Sequence, residues 1–244
     1  DAVVLALAAD HAVLDNEAFV AACRQGLPIA REGRIITFGI APERPATGYG
    51  YINPGQVIRG DVRQVVGFVE KPDVQTAMDY LKSGYLWNSG NFMFRASLLL
   101  DEYRRADAAS VQAISEAVTH AGRDLGFITL EPKAFEAAKS ISIDYAVMEK
   151  TAHAAVIAVS CGWSDIGSWH AVWELAEKDA DGNAARGAAL FENAHNCNIT
   201  TEGPLVALEG VDDLIVAVTP DAVLVSRRHD GDGLKRLIAK IKII

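Results

Sequence analysis

The sequence predicts an α/β fold followed by a small all-β appendage. Three observations carry that prediction. Apolar runs at 3–8 and 34–40 flank a helical stripe, a strand–helix–strand rhythm. Further strand candidates then alternate with capped helical segments. After about residue 180 helical periodicity gives way to short apolar stretches separated by Asn, Gly, Asp and Pro.

Residues 3–8 are continuously apolar, which predicts a strand buried on both faces, as in a parallel sheet. Asn16 is the expected cap of a helix over 16–31, striped by Phe19, Val20, Cys23 and Leu27 and ended by Pro28. Residues 34–40 are the next strand, and 41–60 are rich in Gly and Pro. A strand over 64–69 stops at Glu70-Lys71-Pro72. Asp73 then caps a helix to Lys82, with Gly84 as its stop. A short strand at 91–94 leads to helices at 96–106, 108–121 and 132–139, a helical turn or two at 145–150, a strand at 154–159 and an aromatic helix at 168–178. Short strands at 188–191, 197–200, 205–208, 214–218 and 222–225 read as rungs of a β-solenoid, and 235–243 as an apolar-basic helix. The expected division is 1–180 and 181–244.

Composition excludes several classes. Among 244 residues, 32 are acidic and 23 basic, a net charge of −9. A protein that tracks nucleic-acid phosphates shows the opposite sign. The pairs Arg104-Arg105 and Arg227-Arg228 are expected on solvated surfaces. Cys23, Cys161 and Cys197 are far apart and form no CxxC, so buried structural thiols are expected. No apolar run approaches the ~20 residues of a membrane span, and no basic segment precedes the first apolar run, so a cytoplasmic location is expected. The chain opens at Asp1 without Met, and residues upstream are expected. Motifs for zinc proteases, hydrolase nucleophile elbows and P-loops are absent.

Six stretches can carry chemistry. Asp10 follows the first strand, where open α/β sheets bind ligands; capping a turn is its other role. Gly48 and Gly50 flank Tyr49 and allow a ligand close to the backbone, or make a hairpin turn. Glu70 and Lys71 end a strand and can hold hydroxyls and a phosphate, or form a solvated ion pair. Trp87-Asn88-Ser89-Gly90 suits a sugar, with an apolar face beside an amide, or a turn. Asp144 can meet a ligand or cap the following helix. Asp165, between glycines, repeats the setting of Asp10, and two such carboxylates can clamp one divalent ion. His11 is expected to be structural.

Taken together and in order, Ala9-Asp10-His11, Thr47-Gly48-Tyr49-Gly50-Tyr51-Ile52, Phe68-Val69-Glu70-Lys71-Pro72, Trp87-Asn88-Ser89-Gly90, the run Ile143 to Lys150 (IDYAVMEK) and the run Gly162 to Trp169 (GWSDIGSW) resemble the mannose-1-phosphate guanylyltransferases. The family includes the guanylyltransferase half of bifunctional enzymes with a mannose-6-phosphate isomerase domain. The resemblance covers most of 1–180 and, more loosely, the β region. It implies a Rossmann-like, glycosyltransferase-A-type nucleotidyltransferase domain followed by a small left-handed β-helix-like segment. It implies transfer of GMP from GTP to mannose 1-phosphate, giving GDP-mannose for polysaccharide synthesis and pyrophosphate, with Mg²⁺ assisting in-line attack on the α-phosphate. Asp10 and Asp165 match the metal-binding aspartates. Gly48, with Tyr49 beside it, matches the glycine whose backbone meets the sugar. Glu70, Lys71 and Asn88 match positions around the sugar phosphate, Lys71 holding it rather than acting as a base, and Asp144 lies near the same pocket.

One departure matters. The family opens with a glycine-rich loop that cradles the triphosphate, and neither that loop nor the base-recognition region occurs in this sequence. Little or no turnover is therefore expected from this chain alone, since losing even one preorganised donor costs about 10²–10³ in rate. A non-catalytic sugar-nucleotide-binding subunit and a nucleotidyltransferase for another sugar phosphate are the alternatives. No nucleic-acid or membrane partner is expected; exposed strands in the appendage make a homodimer one expectation.

Overall fold

An apolar run becomes a strand buried on both faces only if it has neighbours at both edges and layers above and below. In the computed structural model, which describes residues 1–228 and 231–241, the run Ile35–Ile40 meets that condition and Val3–Ala6 does not. The chain forms two compact units, Asp1–Trp163 and Ser164–Ile244.

The first unit runs β1 (Val3–Ala6), β2 (Ala12–Val13), α1 (Asn16–Arg31), β3 (Ile35–Ile40), β4 (Gly50–Arg59), β5 (Val62–Glu70), α2 (Val74–Lys82), β6 (Leu86–Arg95), α3 (Ala96–Thr119), β7 (Gly122–Asp124), β8 (Phe127–Thr129), α4 (Pro132–Glu136), a π-helical turn (Asp144–Met148) and β9 (Ala154–Ala158). Six strands form one sheet in the order β1-β6-β3-β9-β5-β4. In it β3 and β9 run parallel and the other neighbours antiparallel. The expectation for residues 3–8 is thus corrected: β1 is an antiparallel edge strand, with Val4 38% and Leu5 40% exposed. Continuity of apolar residues does not say which strand lies at an edge.

One face of the sheet packs α1, through Ala22, Ile29 and Ala30 against Ile36, Phe38, Val62, Met93 and Ile157. A Cβ on Gly26 would stand 3.0 Å from Ile157 Cδ1, so glycine lets the helix approach closely. The cap of α1 is Asp15 rather than Asn16; its carboxylate accepts the Ala18 N–H at 2.9 Å. Pro28 lies inside the helix rather than ending it, and the buried Ile29 and Ala30 hold the last turn in place.

The other face carries α3 and the π-helical turn, with Leu98, Ala146, Val147 and Met148 against Ile35, Ile52, Phe68, Phe92 and Phe94. Helix α3 breaks at Asp107 (φ −157°, ψ 80°), the break expected between 106 and 108, and Asp107 caps the next segment through the Ser110 N–H at 3.2 Å. Asp73 caps α2 as expected, and Gly84 follows at φ +75°. Three expectations change. The Gly- and Pro-rich region holds the ten-residue β4, which admits Pro54 at a shift in register where no regular ladder bond is lost. Strand β6 is longer than 91–94 because its start pairs twice, Trp87 lying opposite both Ile40 and Tyr51. A β7–β8 hairpin follows α3, and α4 stops at Glu136.

Strand β10 (Trp163–Ser164) straddles the division. The second unit then runs α5 (Trp169–Leu175), β11 (Ala184–Arg186), β12 (Ala189–Glu192), β13 (Asn198–Thr201), β14 (Val206–Glu209), β15 (Leu214–Val218), β16 (Val223–Arg227) and α6 (Gly231–Ile241). Strands β11, β13 and β15 stack in parallel, as do β12 and β14, which makes the expected rungs; β16 closes the first stack antiparallel. Ile199, Val216 and Val218 fill the space between them with Phe191, Val206 and Leu208. Helix α6 lies where an apolar-basic helix over 235–243 is expected; residues 242–243 lie outside the described residues. Helix α5 groups with this unit because Trp173 donates its indole N–H to Gly182 O at 2.9 Å and the Arg228 guanidinium sits 3.8 Å over the same ring. Arg228 is therefore not a surface charge: its side chain is 8% exposed and bonds Asp213 Oδ1 at 2.6 Å.

Cys161 and Cys197 are buried and Cys23 half-buried; all three thiols are free, and burial pushes each above the ordinary thiol range. Among the described residues no helix is long and apolar enough to cross a membrane.

Asn183, buried in the second unit, accepts the Cys197 N–H at 3.0 Å and donates to Ala194 O at 2.8 Å. Asn183→Ala leaves two buried backbone groups unpaired. It is expected to cost about 2–4 kcal/mol in urea unfolding of this unit. A loss below about 1 kcal/mol would show that water or a neighbour replaces the amide.

Candidate functional site

Strands β4, β5 and β6 converge so that three motif positions share one place. Gly50 lies opposite Glu70 in the β4–β5 ladder, while the next residues, Tyr51 and Ile52, pair with Trp87 and Leu86 of β6. A Cβ on Gly50 would collide with Glu70 Oε2 and stand 3.3 Å from Asn88 Cβ. The Glu70 carboxylate occupies the space that a side chain at this position would enter. Around Gly48, in contrast, the protein leaves open space within 4 Å.

At the end of β5 the backbone turns left-handed at Lys71 (φ +50°), a conformation that costs a non-glycine residue of order 1 kcal/mol and is held by the Lys71 N–H to Tyr49 O bond at 3.2 Å. Lys71 Nζ lies 3.2 Å from Glu70 Oε1, and its side chain is 58% exposed. The Glu70 N–H donates to Glu149 Oε1 at 3.4 Å.

Asn88 is held on three sides. Thr37, wholly buried on β3, donates its hydroxyl to Asn88 Oδ1 at 2.9 Å. The Gly90 N–H donates to the same oxygen at 3.2 Å. With its oxygen so engaged, the amide points Nδ2 at Asp144 Oδ1, 3.0 Å away. Asp144 opens the π-helical turn and gives no side-chain cap to it, which corrects the capping alternative. Its carboxylate accepts from Asn88, from its own backbone N–H and from the Ser142 side chain.

The charges follow from this packing. Burial raises the Glu70 carboxyl above its ordinary range, and the nearby Asp144 and Glu149 charges add to that, while the Lys71 hydrogen bond works against it. Burial likewise raises Asp144. Lys71 is raised by its hydrogen bond to Glu70 and by that carboxylate's charge. The cluster combines a fixed cation, two reluctant carboxylates and an oriented amide. Such a set offers an ammonium to an anionic group, and carboxylate and amide partners to hydroxyls.

Aromatic rings form a wall nearby. Tyr49 meets Trp87 and Trp163 edge-on at 5.0 and 5.5 Å, and the Arg44 guanidinium lies 5.7 Å from the Trp87 ring centre. Trp163 donates its indole N–H to His11 Nδ1 at 3.3 Å, so His11 has the structural role expected of it. His11 Cε1 would touch a Cβ on Gly90 at 3.7 Å, which brings the Asp10–His11 turn to β6. Asp10 itself is exposed. Asp165 belongs to the second unit, where its Oδ1 accepts the Gly167 N–H at 3.0 Å after a left-handed turn at Ile166. Among the described residues no three His, Cys, Asp or Glu side chains form a ready metal cluster. Each of these two aspartates, Asp10 and Asp165, taken by itself, is a carboxylate of the type that a hard cation such as Mg²⁺ accepts, the rest of its shell coming from water and phosphate oxygens.

Structure brings Tyr49, Glu70, Lys71, Asn88 and Asp144 together in the first unit. Sequence reasoning missed Thr37 and Glu149, and it gave Gly50 a place beside a ligand without the Glu70 carboxylate packed against it. Thr37 is the one polar side chain in the apolar strand Ile35–Ile40, a signal that was present.

Residues 1–182 match the family model described as "Nucleotidyl transferase", and residues 192–241 match "MannoseP isomerase/GMP-like beta-helix domain". The chain is 42% identical over 247 residues to the mannose-1-phosphate guanylyltransferase of Escherichia coli (strain K12), covering 99% of this chain and 52% of that protein. It is 44% identical over 251 residues to the mannose-1-phosphate guanylyltransferase of Salmonella montevideo, covering 100% and 53%. The chain spans about half the length of the curated relatives it matches. A solved structure named as a mannose-1-phosphate geranyltransferase, from Thermus thermophilus, superposes with a TM-score of 0.86 at 31% identity, covering 98% of this chain and 70% of that one.

Because Asp144 has a raised pKa in the folded state, the native protein binds its proton more tightly than the unfolded chain does. Stability from this group is full below the ordinary aspartate pKa and falls as pH rises through the native value. Asp144→Asn keeps an acceptor for Asn88 and removes that loss. Urea unfolding is expected to show the variant more stable than the parent at pH 7, with the gain shrinking below pH ~4. A variant less stable at pH 7 would mean that ionised Asp144 is net favourable.

Proposed function

Because the chain belongs to the nucleotidyl transferase family, we propose that it supplies the sugar-phosphate side of a site that transfers GMP from GTP to mannose 1-phosphate. The products are GDP-mannose and pyrophosphate. The cluster of Lys71, Glu70, Asn88 and Asp144 is the observation that carries this reading, and the names of the relatives choose mannose and guanine for it.

Lys71 exchanges its contact with Glu70 for the sugar phosphate, which its exposure allows. Glu70, released from the ammonium, accepts hexose hydroxyls, and Asn88 offers a fixed amide beside it. Tyr49 and the Gly48 backbone bound the ring. A phosphate oxygen of the bound sugar then attacks the α-phosphorus in line, the new P–O bond forming as the bond to the β-phosphate bridge breaks. No side chain has to move a proton in that step; this chain's contribution is to hold the nucleophile in position and balance its charge. The family generally works with a divalent metal. Asp10 and Asp165 are each proposed as a carboxylate ligand for Mg²⁺, which when bound would neutralise phosphate charge. GTP and sugar phosphates are charged cytoplasmic metabolites, so the activity belongs in the cytoplasm. Residues 1–180 carry the transfer site and 181–244 the β-rich segment, whose edge strand β16 offers a pairing surface for a homodimer.

The test is pyrophosphate release by the natural full-length product, with mannose 1-phosphate and GTP set against other sugar phosphates and nucleotides. Release is expected with that pair and with Mg²⁺. Lys71→Met is expected to raise KM for the sugar phosphate by roughly tenfold to a hundredfold, the value of one charge-assisted hydrogen bond. Release with another pair alone would reassign the substrate, and GDP-mannose binding without release would make the protein a non-catalytic subunit.

A further inference from the structure

The segment that gives Asp144 and Glu149 to the candidate site also gives Ala146, Val147 and Lys150 to a separate cavity of about 300 Å³. Its remaining polar lining is Glu102 and Arg105 of α3, and His153. None of these side chains has a part in the sugar-phosphate site. Glu102 is 8% exposed, an unusual place for a carboxylate. It is bonded by Arg105 and stands 3.9 Å from His153 Nε2. The buried carboxylate thus pairs with Arg105 at the wall of the cavity, with the His153 imidazole nearby. Lys150 adds a third basic side chain, its ammonium donating to Ala146 O at 3.4 Å. Arg105 gives one of its five N–H groups to Glu102 and Lys150 one of its three to the backbone, so both retain donors. The volume lies at the small end of ligand sites, too small for a nucleoside triphosphate.

We propose that this cavity binds a small phosphate-bearing metabolite, and that its occupancy is felt at Asn88 through the π-helical turn. The phosphate meets the Arg105 fork and the Lys150 ammonium, with Ala146 and Val147 against the rest of the molecule. The turn is held by the Glu149 N–H to Asp144 O and Lys150 N–H to Val147 O bonds, at 3.0 and 2.9 Å. Single π-helical turns are rare and are found frequently at functional sites. A pull on Lys150 thus acts on the same hydrogen-bonded turn that sets Asp144 against Asn88. The binding half of this inference stands without the proposed reaction; only its regulatory meaning rests on that reading.

Inorganic phosphate, titrated into the full chain and followed by amide and side-chain NMR, tests it. Because Lys71 also attracts phosphate, the titration is run on the parent and on Lys71→Met. Saturable shifts at Ala146, Ala152 and His153 are expected to survive Lys71→Met. They are expected to weaken about tenfold in Lys150→Met and in Arg105→Ala, as for a lost charge-assisted contact. Lys150→Met leaves the buried Glu102–Arg105 pair intact, so it decides the matter if Arg105→Ala does not fold. The Asn88 side-chain amide is expected to shift on phosphate addition in Lys71→Met and to stay fixed in the double variant with Lys150→Met. Shifts abolished by Lys71→Met, a non-saturating response, or an equal response to acetate would overturn the site. A still Asn88 amide beside a saturating cavity would overturn the coupling.

Discussion

The first unit's site depends on one steric constraint, the absence of a side chain at Gly50. Glu70 Oε2 stands where that side chain would begin. A larger residue there requires the Glu70 carboxylate to shift, and Lys71 is paired with that carboxylate. Double pairing of β4, with β5 along its length and with β6 at its start, imposes the constraint. Tyr51 and Ile52 keep their side chains where the three strands pair, and Gly50 beside them leaves the volume that the Glu70 carboxylate and Asn88 adjoin.

The second layer of organisation is the relay from Thr37 through Asn88 to Asp144. An amide side chain has two nearly isosteric orientations, and its neighbours choose between them. The Thr37 hydroxyl and the Gly90 N–H both donate to Asn88 Oδ1, which leaves Nδ2 for Asp144. Thr37 touches no ligand in this scheme; its buried hydroxyl determines what Asn88 offers to one. The same relay ties the sheet to the π-helical turn, so the sheet core and the site are held by the same bonds.

Much of this was legible from the sequence, and the rest was not for identifiable reasons. Helix α2 was readable because Asp73, Lys82 and Gly84 are local signals read within one element. The break at Asp107 and the rungs after residue 180 were readable for the same reason. The edge position of β1 and the length of β4 were not, since both depend on pairing between distant segments. Among the site residues, Glu70, Lys71, Asn88 and Asp144 stood out through the order of their motifs. Thr37 did not, because its partner lies 51 residues away and a threonine within a buried strand also suits β-propensity alone. Gly50 was visible as a glycine but not as the crowded one of its pair. Arg228 reads in sequence as one of two surface arginines, and only the fold reveals the indole beneath it.

The charge balance around Lys71 constrains how any sugar phosphate can lie. Glu70, Asp144 and Glu149 all contribute negative charge to one another's surroundings, and Lys71 is the cation among them. A phosphate placed near the carboxylates would face repulsion in a partly desolvated setting, where such terms are stronger than in water. A hydroxyl placed there is welcome, because a carboxylate raised by burial gains most from a donor. The left-handed backbone at Lys71 separates these two demands, sending its side chain to 58% exposure while Glu70 stays 11% exposed. In the proposed reaction the sugar phosphate would lie with its hydroxyls toward the buried acids and its phosphate toward the exposed ammonium. That orientation leaves the phosphate oxygens at the open side of the cluster, where an attacking group must be.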